Sequence, residues 1–211
     1  GVGALLLASS CGISIPTRQE RMVYSRDAQP LINPLSGYAP MADDPGRFPE
    51  STLVYVDITW RELEPQEGVY DWKSIEESNH LERWRQEGKH GVLRFVCDIP
   101  RDEPHRDIPD WLYEKCGHAG MDYDIRYGKG FSPDYGNEAF IRYHERAILA
   151  LGNYFGQDGF VRYVELGSLG HWGEWHVDYG SGLPRIPDSP VRAIYVDQYV
   201  RAFPKARLLM R

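Results

Sequence analysis

Cysteine is scarce, three in 211 residues, and no two cysteines stand at the close spacing of a metal-binding pair. That count excludes a disulfide scaffold and a zinc ribbon. No run approaches the roughly 20 apolar residues that a membrane-spanning helix needs. Positive charge is in deficit: 24 Lys and Arg stand against 31 Asp and Glu, a formal net charge of −7. Such a balance opposes a groove that must neutralise phosphates, so nucleic acid is excluded as a partner. The place where a dinucleotide-binding chain carries G-x-G-x-x-G after its first strand reads TWRELEPQEG instead, and no phosphate cradle forms there. The run LGSLG (Leu166 to Gly170) lacks the spacing of a G-x-S-x-G nucleophile elbow. No cofactor is expected. What is present is 42% hydrophobic and 13% aromatic residues. A chain longer than about 150 residues buries close to 70% of its unfolded surface, so a core forms without disulfides, and Cys97 and Cys116 read as structural.

The first residues, GVGALLLASSCG, place an apolar run (Val2 to Ala8) before small residues and Cys11. This resembles a signal peptide, and its end resembles the lipobox of bacterial lipoproteins. Residues 1–20 are therefore expected to direct export, with lipidation at Cys11 and a periplasmic, outer-membrane or cell-surface location. Membrane contact would then run only through the lipid anchor.

Beyond a Pro- and Gly-punctuated stretch, strands and helices alternate. Ser51 to Trp60, Gly91 to Ile99, Phe160 to Gly167 and Ala206 to Arg211 carry strand patterns. Between them, Ser74 and Glu77 form a capping-box pattern opening a helix to about Glu87. Glu138 to Phe155 has helical spacing of apolar residues. Ser189 with Pro190 starts a helix that Pro204 closes. Strict alternation means a parallel sheet covered by helices. Links from helix to strand are short, whereas Pro100 to Asn137 and Ser168 to Asp188, which leave the carboxyl ends of strands, are long. Long loops in compact domains are usually functional, and that end of the strands carries the sites of α/β proteins.

The segment ITWRELEPQEGVYDW (Ile58 to Trp72) resembles the W-x-x-x-E-P-x-x-G-x-y-d-W signature of β-galactosidases and related retaining glycosidases. Taken with NPLSGY (Asn33 to Tyr38), PDWLYEK (Pro109 to Lys115) and VELGSLGHWGEWH (Val164 to His176), the chain is similar to a bacterial family of exported, β-galactosidase-like (β/α)8 barrel proteins of unassigned activity. The resemblance spans roughly Asn33 to Arg211 and implies an α/β fold, a TIM barrel whose domain occupies residues 30–211. It makes the four strands above barrel strands two to five. On that reading about the first five strands are present and the chain is a fragment of a longer product, with the partner nucleophile beyond Arg211.

The same resemblance implies a glycoside hydrolase that cleaves O-glycosidic bonds of a poly- or oligosaccharide with two carboxyl groups. Glu174 matches the acid/base position after the fourth strand. Gly173 departs from the clan, which usually has Asn there to hold the sugar 2-hydroxyl. Trp172 and Trp175 flank Glu174 and are candidates to stack on sugar, with His176 as a hydrogen-bonding neighbour. Asp98, Trp60 and Trp111, at or beyond strand ends, are further candidates for substrate contact. Strand alternation sends Asp57, Arg94 and Glu165 to charged positions within apolar strands, where buried charges must pair. Arg94 with Glu165 is the expected pair, with Asp57 as a candidate third member. Two alternatives stay open. One is a carbohydrate-binding barrel without catalysis. The other is a metal-dependent hydrolase using His171, Glu174 and His176, although H-x-x-E-x-H matches neither common zinc spacing and no metal site is expected.

Overall fold

The computed structural model describes residues 33–157 and 159–211. The segment carrying the expected signal sequence and Cys11 lies outside the described residues.

Strand β1 (Leu53–Thr59) sends Val54, Val56 and Ile58 into the core, while Tyr55 and Asp57 take the other face. Thr59 ends it by capping α1 (Trp60–Leu63). Its hydroxyl accepts the Glu62 N–H at 3.2 Å, and the Glu62 carboxylate takes the Thr59 N–H at 2.8 Å, a reciprocal box that satisfies two otherwise orphaned donors. Two short helices follow, α2 (Trp72–Ser78) and α3 (Leu81–Gln86), where the sequence predicts one. Asn79 donates its side-chain amide to the Ile75 carbonyl at 3.1 Å, competing with the helical ladder, and His80 turns left-handed at φ 52°. The expected Ser74 cap is also displaced, because Asp71 accepts the Ser74 N–H at 3.0 Å.

Strand β2 (His90–Val96) leads through a long loop to α4 (Asp110–Lys115) and an antiparallel hairpin, β3 (Gly120–Ile125) with β4 (Gly128–Pro133). Helix α5 (Glu138–Phe155) begins at Asn137, whose side chain accepts the Ala139 and Phe140 N–H groups, and it buries the apolar stripe read from sequence. Strand β5 (Val161–Glu165), α6 (Ser189–Ala202) and β6 (Arg207–Leu209) complete the described chain. Asp188, rather than Ser189, caps α6.

The sheet runs β1-β2-β5-β6, all parallel, and Met41 adds a parallel bridge beside Tyr55. Met41, β1, β2, β5 and β6 thus occupy successive positions in chain order. A doubly wound sheet reverses direction at a switch point, and this one does not. With right-handed crossovers, an unreversed order puts every crossover helix on one face, which is barrel geometry. Among the described residues the sheet does not close on itself. Trp60, Trp84, Phe95, Phe140, Phe155, Tyr195 and Tyr199 fill the layer between sheet and helices. Cys97 and Cys116 are buried free thiols.

Candidate functional site

On the sheet face opposite the helices, parallel register places Asp57, Arg94 and Glu165 side by side. Arg94 donates Nε and Nη2 to the two Asp57 oxygens at 2.6 and 2.5 Å. Its third nitrogen, Nη1, donates to the Trp172 carbonyl at 3.0 Å. The expected Arg94–Glu165 pair is corrected here. Glu165 accepts a hydrogen bond from the Tyr55 hydroxyl instead, which frees the planar guanidinium fork for Asp57. Burial, and then the bond to Glu165, push the Tyr55 hydroxyl far up, so it stays a donor.

The loop leaving β5 carries Glu174 through an unusual backbone. Trp172 and Trp175 sit at φ 53° and 59°, with Gly173 between them at φ 70°. A Cβ on Gly173 would lie 1.9 Å from the Gly167 carbonyl oxygen, so only glycine fits this approach. Bulky residues at positive φ are strained by roughly 1–3 kcal/mol each. Several bonds hold the turn. The Trp172 N–H donates to the Asp98 carbonyl at 2.8 Å, and the Trp175 N–H to the Leu169 carbonyl at 2.9 Å. Beneath it, His171 Nε2 accepts the Asp178 N–H at 3.1 Å, so Nδ1 carries the ring proton and donates to Asp98 at 2.8 Å. Tyr123, from the hairpin, donates to the other Asp98 oxygen.

Asp98 is fully buried. Burial pushes its carboxyl pKa up, while the bonds from His171 and Tyr123 pull it down. Its expected contact with substrate is therefore corrected: Asp98 holds the loop from below. Trp60 is corrected likewise. The Thr59 cap turns the chain into a helix and buries the indole completely, with its N–H on Glu64 at 3.0 Å. Trp111 packs edge-on against Trp60, 6.4 Å between centroids, and gives its N–H to the Glu64 carbonyl at 2.8 Å. Trp60, in α1, lies in the core, and Trp111, in α4, packs against it. Trp175 packs on the core and donates its N–H to Leu166 at 2.6 Å.

Glu174 remains at the mouth, its side chain 29% exposed. One carboxylate oxygen lies 3.3 Å from His176 Nε2 and the other 3.2 Å from Arg211 Nε. Both nitrogens of His171 are committed and its ring is buried, so His171, Glu174 and His176 do not converge as the metal-hydrolase reading requires. Among the described residues no group of three potential ligands is placed to hold a metal ion. Deeper still, His144 bridges Gln198 and Ser168, with Ser168 on Tyr199. Burial pushes His144 down to about 4, and the group is sealed from solvent. Sequence reasoning missed Tyr55, Tyr123, Arg211 and Tyr127, which stands in the β3–β4 turn edge-on to Trp172. Tyr55 alternates with Asp57 and was findable, whereas the two hairpin tyrosines needed the hairpin.

No known family model matches the chain, and no curated protein matches it. Solved structures do. The endo-glycoceramidase II of Rhodococcus sp. aligns at a TM-score of 0.50 with 16% identity, over 75% of this chain and 39% of that one. A GH5_18 protein of Bifidobacterium longum subsp. infantis aligns at 0.51 with 13% identity, over 77% and 35%. These neighbours are glycoside hydrolases, and the likeness places the chain in their TIM-barrel type of α/β fold. The chain spans about two fifths or less of the length of these solved structures.

Proposed function

We propose that this chain carries the acid/base side of a glycoside hydrolase site, cleaving O-glycosidic bonds of a poly- or oligosaccharide with Glu174 as general acid and base. The carrying observation is the placement of Glu174. A partly exposed carboxylate stands at the carboxyl end of the fourth parallel position, on a strained turn tied down by Arg94, Asp98 and His171. Strain retained at that place is what a preoriented reacting group requires. In the step itself Glu174 protonates the leaving oxygen while a second carboxylate works on the opposite face of the sugar. His176 and Arg211 each hold one oxygen, which fixes the plane of the carboxyl group.

One observation favours a second reading, a carbohydrate-binding barrel without turnover. Gly173 occupies the place of the Asn common in the clan, and its contact with Gly167 leaves no room for a side chain. Export with lipidation at Cys11 belongs to the proposal in either case. Recovery of the Val2 to Ser10 segment on the mature protein from its host would contradict it.

Glu174→Gln decides between the first two readings. General acid assistance is worth roughly 10²- to 10⁴-fold. Turnover of a substrate with a poor leaving group is therefore expected to fall that far, and bond cleavage with an activated leaving group much less. Unchanged turnover in a normally folded variant removes Glu174 from catalysis.

A further inference from the structure

Six tryptophans are present, and five of them, Trp60, Trp72, Trp84, Trp111 and Trp175, belong to the hydrophobic core or pack on it. Trp172 does neither. Its indole N–H has no partner among the described residues, its side chain is half-buried, and its backbone is left-handed at φ 53°. The ring meets the buried His171, with centroids 6.0 Å apart, and the two-residue turn of the β3–β4 hairpin. Tyr127 stands edge-on to Trp172, with centroids 5.4 Å apart and planes at 76°. It is 37% exposed and likewise outside both apolar clusters. Arg126 covers part of the Tyr127 ring at 4.4 Å, and His176, the neighbour of Glu174, lies 6.3 Å from Trp172.

Two aromatic rings at nearly a right angle, both outside the apolar clusters and joined to the Glu174 carboxylate through His176, which lies 6.3 Å from Trp172 and 3.3 Å from Glu174, make a corner with apolar walls. Pyranose rings present a face of C–H groups and an edge of hydroxyls, which suits such a corner. We propose that Trp172 is the stacking platform for the sugar ring next to Glu174, and that Tyr127, delivered by the hairpin, is the wall that selects which ring orientation enters. This inference rests on the carbohydrate reading of the site and assigns to the hairpin a specificity role. The hairpin is anchored for the task, because Tyr123 on β3 bonds to the same Asp98 that holds His171.

The test uses the natural gene product carrying Glu174→Gln, so that bound polymer is not cut. The probes are hydroxyethylcellulose, β-1,4-galactan and β-mannan cast in native gels. Retardation by at least one of them is expected. Tyr127→Ala should weaken it about fivefold to tenfold, while Tyr127→Phe keeps it. Trp172→Gly should abolish retardation yet melt no lower than its parent, because glycine relieves the positive φ. A change of tryptophan emission on binding should vanish in Trp172→Phe. The proposal is overturned if none of the polymers retards the protein, if Tyr127→Ala migrates as the parent does, or if Trp172→Gly melts well below it. Tyr127-dependent binding with no cleavage by the unsubstituted protein supports the corner and defeats the hydrolase. Cleavage with an unaltered KM in Tyr127→Ala, in an otherwise unsubstituted protein, does the reverse.

Discussion

Replacing Arg94 by Met tests the charged row on the interior face. The Arg94 side chain is 9% exposed and the Asp57 side chain 22%. The substitution removes the two short bonds to Asp57 and the bond to the Trp172 carbonyl, and leaves the Asp57 carboxylate facing apolar methionine, with Glu165 two strands away in the same row. Stranding one partner of a buried pair costs roughly 3–5 kcal/mol. Because Asp57 keeps about a fifth of its exposure, solvent screens part of that penalty, and about 3 kcal/mol is expected. For a domain of this length that is a fall in Tm of roughly 6–12 °C. Arg94→Met with Asp57→Asn removes the stranded charge and should recover about 2 kcal/mol, a coupling that a double-mutant cycle isolates. Glu165→Gln is the informative control. Its carbonyl can still accept from Tyr55, so a loss of about 1 kcal/mol or less is expected. Denaturant unfolding of the wild type and the four variants at pH 7, followed by far-ultraviolet circular dichroism so that the sheet is what is read, measures all of this. Additive effects of Arg94→Met and Asp57→Asn, or a Glu165→Gln loss as large as that of Asp57→Asn, would refute the pairing.

Two further outcomes follow from named groups. His144 titrates near its ordinary 6.5 when unfolded and about 4 when folded, so between those values the unfolded chain binds the extra proton. Stability should fall as pH drops from about 6.5 to about 4, by up to ~3 kcal/mol from this residue, and His144→Asn should flatten that part of the profile in equilibrium unfolding. Gly173→Ala combines a φ of 70° with a 1.9 Å approach to Gly167, whereas Gly182→Ala meets a closely similar φ, 73°, in open space. The latter should lose about 1–2 kcal/mol and the former at least ~3 kcal/mol. Equal losses in thermal unfolding would show that the Gly167 contact yields freely.

The sequence disclosed the sheet wherever a strand had one apolar face. β1 and β5 bury alternate residues against helices, while β2 is a short, largely apolar run buried on both faces, and neither pattern needs tertiary information. The β3–β4 hairpin was only half legible. MDYDI alternates apolar and acidic residues, a period-2 pattern that marks a strand, but its partner GKGFSP carries two glycines and a proline and shows no such alternation. Helix caps were misplaced by one to three residues at Asp71 and Asp188, where a carboxylate outcompeted the nearby serine for the same backbone donors. The partner of Arg94 was undecidable from the chain alone. Asp57 and Glu165 flank it symmetrically in register, and the choice falls to Tyr55, whose hydroxyl satisfies Glu165 first. Glu174 was legible through its motif. The fate of Trp60 was not, because a single cap at Thr59 decides whether that indole faces solvent or core.

The row and the motif are one device. Arg94 spends two nitrogens on Asp57 and the third on the Trp172 carbonyl, so the charge pair inside the sheet also fixes the strained turn above it. Two bulky residues at positive φ oppose folding of that turn by roughly 2–6 kcal/mol together. Hydrogen bonds that involve a charged group contribute about 1.5–3 kcal/mol each, and the turn has two such anchors, Arg94 on Trp172 and Asp98 on His171. The two sums are of similar size, so loss of either anchor should release the turn before it unfolds the sheet. Arg94→Met therefore predicts two events at different denaturant concentrations. Trp172 fluorescence should change first, and far-ultraviolet circular dichroism later. Coincident transitions would mean that the turn and the sheet fold as a single cooperative unit.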